Sequence, residues 1–132
     1  MPLTFDQPAI AEYVASFAGK PFLPPYTAFG IERNGAITGG FVFNGYIHPS
    51  IELSLAGHAI VSRGAWRACL DYAFGQLGVA RLGITVSRSN KVACKLAPKA
   101  GFVYEGPLRA VQAVRFSLIA SDLPKFRQRW GL

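Results

Sequence analysis

A chain of 132 residues, 51% of them hydrophobic, can bury one sizeable core but is too short for two ordinary domains, so residues 1–132 are expected to form one unit. No apolar run approaches the roughly 20 residues that cross a bilayer, and the N-terminus lacks a basic segment followed by an apolar one, so a soluble, cytoplasmic protein is expected. Lys and Arg number 14 against 7 Asp and Glu, a net charge of +7 that favours an anionic partner without naming it, whether cofactor phosphates, nucleic acid or an acidic protein surface.

Asp6 followed by Pro8 marks a helix start, and Ile10, Tyr13, Val14 and Phe17 recur on one helical face before Gly19 closes the segment. Three prolines between Lys20 and Tyr26 predict an extended connection. Tyr26 to Arg33 and Ala36 to Phe43 are aromatic and β-branched runs separated by Asn34-Gly35, a pair suited to the positive φ angles of a type I′ hairpin turn. From Ser50 to Leu55 the pattern alternates, with Ile51, Leu53 and Leu55 on one face and Glu52 and Ser54 on the other, which predicts a strand with a polar face.

Trp66, Cys69, Leu70, Ala73 and Leu77 repeat at helical spacing, so a second helix is predicted from about Ser62 to Leu77, closed by Gly78. Leu82, Ile84 and Val86 alternate in a strand, and Asn90 then caps a helix that ends by Ala100, before Gly101. Phe102 to Glu105 and Ala113 to Ile119 read as strands, with Pro107 in the turn region between them, and Asp122 and Pro124 open a short terminal helix reaching Trp130. Cys69 and Cys94 fall in predicted helices without nearby Cys or His, which suggests neither a disulfide framework nor a zinc site. Two strand-helix-strand crossovers beside antiparallel hairpins imply an α/β (α+β) fold, a mixed central sheet with helices on both faces.

The run from Asn90 to Gly106 reads NKVACKLAPKAGFVYEG. Its asparagine, followed by Ala93, Lys99, Gly101, Phe102 and Glu105-Gly106, resembles the second conserved block of the GNAT N-acetyltransferases. Upstream, Ala65 to Val86 is similar to the helix and following strand of the same superfamily, especially its ribosomal-protein and antibiotic-modifying branches and small phage-encoded members. The resemblance implies acetyl-CoA as co-substrate, held where two parallel strands splay apart. The pantetheine amides would pair with backbone of the strand from Ser50 to Leu55, at Leu53 and Leu55, as an added strand does. The pyrophosphate would sit on the N-terminus of the next helix, at Ile60, Val61, Ser62, Arg63 and Gly64, because unpaired N–H groups and the positive dipole end favour an anion there. Asn90 and Ala93 would complete the cofactor site.

Two positions depart from the family pattern. The phosphate turn is GHAIVSRG, shorter than usual and with Gly64 as its only glycine near the phosphates, and Ser62 as a cap and Arg63 as a charged donor would compensate. Many members place a tyrosine general acid where this chain has Ala97, next to Pro98. Glu52, on the polar face of the cofactor strand, is the first candidate for general base, and Tyr104 for a replacement acid. His48 and His58 are weaker candidates for proton transfer and turn solvation. The aromatic residues Tyr26, Phe29, Phe41 and Phe43 are expected in the core or on the sheet surface.

The implied reaction is acetyl transfer to a primary amine of a protein or small molecule, without a metal. The competing reading is a catalytically inactive GNAT-fold protein that binds a host protein, nucleic acid or a virion assembly through its basic surface. Nucleic acid ranks lowest because no recognition motif for it is present. No membrane partner is expected, and a homodimer is left open.

Overall fold

The computed structural model describes residues 3–57 and 62–132. In chain order the elements are β1 (Leu3–Thr4), α1 (Gln7–Ala18), β2 (Thr27–Arg33), β3 (Ala36–Ile47), β4 (Ser50–Gly57) and α2 (Arg63–Leu70), the last running into a π-helical segment at Asp71–Gln76. There follow β5 (Arg81–Ser87), α3 (Lys91–Ala100), β6 (Val103–Leu108), β7 (Ala113–Ile119) and α4 (Leu123–Trp130). The strands form one sheet in the order β1-β2-β3-β4-β5-β7-β6. Its neighbours are antiparallel except β4 and β5.

Local chemistry accounts for most element boundaries. Asp6 caps α1 through Ala9 N–H, Ser62 caps α2 through Ala65 N–H and Asn90 caps α3 through Ala93 N–H, each supplying an acceptor to an N–H that has no partner within its helix. Asn34 and Gly35 take φ values of 53° and 77°, as the expected type I′ turn between β2 and β3 requires. Three expectations shift. The second helix changes after Leu70 to the wider π winding, where Leu77 N–H bonds the carbonyl of Tyr72. This segment also brings the Tyr72 hydroxyl to Thr27 Oγ1 at 2.9 Å. Pro107 lies within β6 rather than in the turn after it, tolerated because β6 is the sheet's edge strand. Only the first strand-helix-strand crossover joins neighbours, since β7 inserts between β5 and β6.

Period-two alternation sends side chains to two separate cores. Phe29, Phe41, Phe43, Ile51, Leu53, Leu82, Ile84, Phe116 and Leu118 pack with α2, α3 and α4 on one face. Ala28, Val42 and Ala56 pack with Ile10, Ala11 and Val14 of α1 on the other, and Tyr26 joins that smaller cluster. Phe17, expected on the buried stripe of α1, is 64% exposed and rests against Tyr13, while Ala11 takes the inward position. Both cysteines are free, and burial pushes the Cys69 thiol up.

Trp66 is the hub of the larger core. Its ring lies 5.4 to 5.8 Å from those of Phe41, Phe102, Phe126 and Trp130, so one side chain ties the sheet to α2 and α4. Trp66→Ala should destabilise the fold by about 3–5 kcal/mol through lost burial and a residual cavity. Urea unfolding monitored by circular dichroism checks this, and a loss under about 1 kcal/mol would show that the surrounding rings collapse into the space.

Candidate functional site

The parallel pairing of β4 and β5 covers three residue pairs, Ser50 with Arg81, Ile51 with Leu82 and Glu52 with Gly83. Beyond it β4 continues to Gly57 against β3, and β5 continues to Ser87 against β7. Two strands that stay laddered on their outer sides but not to each other diverge, and the segments from Leu53 and from Ile84 onward face one another across a gap. A register irregularity between Asn44 and Ile47 of β3 lies opposite Ser50–Glu52, the stretch of β4 just before the divergence; such bulges bend a strand and increase its twist. The N-termini of α2 and α3 follow the carboxyl ends of β4 and β5, so two helix dipoles bring partial positive charge to this end of the sheet.

A charged cluster marks the point of divergence. Arg81 Nη1 donates to Ser50 Oγ at 3.0 Å and to Glu52 Oε2 at 3.2 Å, while its Nε donates to Glu105 Oε2 at 3.1 Å and its Nη2 to Glu105 Oε1. The other oxygen of Glu52 accepts from Arg115 Nη2. Gly83 allows this arrangement, because a Cβ there would run into Glu52 Oε2 and the Arg81 guanidinium. The two-point bond from Arg81 holds the Glu105 carboxyl down to about 2, helped by the Ser117 hydroxyl and the Arg115 charge and opposed by burial.

These side chains occupy the sheet face opposite the larger core. On β5 and β7 they alternate with Leu82, Ile84, Phe116 and Leu118, which point into that core. The smaller cluster under α1 draws only on residues from α1 to β4 and does not reach β5, β7 or β6. The face beyond β4 is therefore a shallow polar floor beside the gap, and Thr85 stands exposed on it.

Leu53 and Leu55 lie just past the last β4–β5 pair, with the Leu53 side chain buried in the larger core and its backbone on the diverging stretch. Ser62 caps α2 and Gly64 is exposed in the first turn, while Asn90 and Ala93 form the cap of α3. Ile60, Val61 and His58 lie outside the described residues.

Arg63, at the first turn of α2, has a partner at the far end of the chain. Its Nη2 donates to the Gly131 carbonyl at 2.8 Å, stabilising the negative C-terminal end of α4, and a phosphate contact through that nitrogen would require breaking this bond. Tyr104 stands away from Glu52. Its ring packs on Phe116 at 5.6 Å, on the face opposite Glu52, and β7 separates its strand from β5. His48 is bonded to the Tyr46 hydroxyl at 3.3 Å rather than to Glu52. Among the described residues no group of three His, Cys, Asp or Glu side chains converges as metal ligands would, and no helix is long and apolar enough to cross a membrane.

Arg81, Arg115, Glu105 and Gly83 were absent from the sequence-derived site. Alternation with apolar neighbours places the first two and Gly83 on polar strand faces, but Arg81 and Gly83 meet Glu52 only because β5 pairs in parallel with β4, and Arg115 reaches it only because β7 enters the sheet next to β5.

No protein-family model matches the chain, and no curated sequence matches it. Solved structures do. A candidate acetyltransferase from T. thermophilus superposes with a TM-score of 0.73 at 16% identity, covering 96% of this chain and 82% of that one. The spermidine N-acetyltransferase SpeG from Vibrio cholerae, as its F149A mutant, gives 0.68 at 17% identity, covering 95% and 99%. The Campylobacter jejuni N-acetyltransferase PseH, in complex with acetyl coenzyme A, gives 0.58 at 19%, covering 83% and 76%. The chain has the fold of the GNAT N-acetyltransferases.

The Arg81–Glu105 bond has a pH signature. Glu105 titrates at about 2 when folded against an ordinary 4.5, so between those values the unfolded chain binds more protons. Its contribution to stability is then complete above about pH 4.5 and is lost as pH falls toward about 2. Glu105→Gln should lower Tm by a few degrees at neutral pH and show a smaller decline than the parent between about pH 5 and pH 3. Parallel declines in a calorimetric series would remove the linkage.

Proposed function

We propose that residues 1–132 form a single acetyl-CoA-dependent N-acetyltransferase domain acting on a primary amine, with Glu52 accepting the proton that the amine gives up. The observation that carries this reading is the end of the β4–β5 ladder at the Glu52–Gly83 pair, with two capped helix N-termini following the diverging strands. Structures of the same fold bind acetyl coenzyme A in PseH and CoA-disulfide in Mycobacterium smegmatis RimJ, which supports the choice of co-substrate. A cytoplasmic setting agrees with two unpaired cysteines.

The residues present fit such a ligand in outline. Backbone of β4 from Leu53 onward would pair with the pantetheine amides. The Ser62-capped start of α2 would face the pyrophosphate, and Asn90 would border the pantetheine. Acetyl-CoA supplies the acyl group: the amine nitrogen bonds to the thioester carbonyl carbon, the C–S bond breaks and the thiol leaves. Glu52 has two carboxylate oxygens with about four acceptor sites in all. One bond to each arginine leaves it able to accept from an amine, and the guanidinium groups fix its orientation. Ala97 carries no proton to give and Tyr104 packs on Phe116 on the sheet face opposite Glu52, so the thiolate would take its proton from water or another residue.

Isothermal titration should show acetyl-CoA binding, and Glu52→Gln should bind the co-substrate with unchanged affinity while kcat falls about 10²–10⁴-fold. Absence of binding at millimolar acetyl-CoA would dismiss the reading, and full activity in Glu52→Gln would dismiss its role for that residue. The missing acid favours one second reading, a GNAT-fold binding protein without turnover, which co-substrate binding with no transfer to any amine would select.

A further inference from the structure

The ion pairs at the head of the cleft are unequal in what they leave unsatisfied. Glu105 gives both oxygens to Arg81, and Arg81 spends all three nitrogens on Glu105, Glu52 and Ser50. Arg115 holds a single oxygen of Glu52, a carboxylate that it shares with Arg81. Its Nε is buried and, among the described residues, has no hydrogen-bond partner. The side chain as a whole is 32% exposed, so Arg115 borders both the cluster and solvent.

We infer that the acceptor is an amine carrying a carboxylate close to its nitrogen, with the amine directed to Glu52 and the carboxylate to Arg115. This rests on the acetyltransferase reading above, because it assigns the same cleft. The face occupied by the larger core is filled by α2, α3 and α4, so an acceptor reaches the diverging strands over the face that carries the ion pairs. One carboxylate there has acceptor capacity left, which suits one ammonium or amine. Beside it stands the guanidinium whose charge is least compensated and whose donors are least used, which suits one carboxylate. A polyamine fits poorly: its second cation would meet Arg81, Arg115 and a chain of net charge +7, with Glu105 already bound on both oxygens.

Arg115 is thereby a specificity-determining residue, and its test separates the acceptor from the co-substrate. Binding of glutamate, aspartate and γ-aminobutyrate to the full chain, without acetyl-CoA, is measured by titration against putrescine and spermidine as carboxylate-free amines. The amino-carboxylates should bind at least about tenfold more tightly than the diamine and polyamine. Arg115→Gln should weaken that binding about tenfold or more, and Arg115→Lys, which keeps the charge, should recover part of it. With acetyl-CoA present, the same order should appear in kcat/KM, the loss in Arg115→Gln falling mainly on the KM for the acceptor. Preference for putrescine or spermidine, or equal binding of all five amines, overturns the inference even if acetyl-CoA binds. Should acetyl-CoA fail to bind while amino-carboxylates bind in an Arg115-dependent way, the acetyltransferase reading falls and the anion site stands. The wild-type comparison decides the question even if neither Arg115 variant folds.

Discussion

The chemistry open to this chain depends on where the hydrogen-bond ladder between β4 and β5 stops. A continuous parallel ladder would seal both strands, because every backbone amide would already be paired. Here pairing ends after Glu52 and Gly83, and the outer neighbours β3 and β7 keep hold of the strands beyond that point. The gap is thus a property of a rigid sheet rather than of a loop. Its walls are backbone, suited to an extended ligand with amides of its own. On its floor side chains from β4, β5, β6 and β7 meet.

That meeting is electrostatic, and it is permitted by a missing side chain. Two guanidinium groups and two carboxylates share the floor at 21% to 33% side-chain exposure, wet enough to limit the desolvation cost and enclosed enough for geometry to matter. Gly83 supplies the space, since any Cβ would occupy the volume of the Glu52–Arg81 contact. The same residue is the last in the parallel ladder. The end of the backbone pairing and the start of the side-chain chemistry therefore coincide at one position.

Much of this architecture is legible in the sequence because its signals are local. Caps at Asp6, Ser62 and Asn90, the Asn34-Gly35 turn and the apolar alternation of β4, β5 and β7 each follow from a few neighbouring residues, and each corresponds to an element boundary or a buried face. What was not legible is set by sheet order. Tyr104 sits close in sequence to the Asn90 helix yet lies on the edge strand and the wrong face, while Arg115, which no local pattern distinguishes, reaches Glu52. Helix periodicity also continues smoothly through Asp71–Gln76, so it does not reveal the π winding there. Arg63 could not be assigned from its neighbours either, because its partner is the carbonyl of Gly131, at the far end of the chain.

Ala97, in place of a tyrosine acid, weighs less against catalysis than it first suggests. Thiols ionise at about 8.5 and alkyl amines at about 10.4 in water, so at neutral pH a thiolate is a tolerable leaving group, whereas an amine is held mostly as its unreactive cation. The harder proton is the one on the nucleophile. A site that keeps an oriented carboxylate beside the incoming amine and leaves the thiolate to solvent has retained the more valuable half of acid–base catalysis. The arginines around Glu52 fix its position, each bonding one of its two oxygens. An acceptor carboxylate that drew Arg115 toward itself would leave Arg81 to hold Glu52 in place, coupling recognition of the acceptor to the orientation of the carboxylate proposed to deprotonate it.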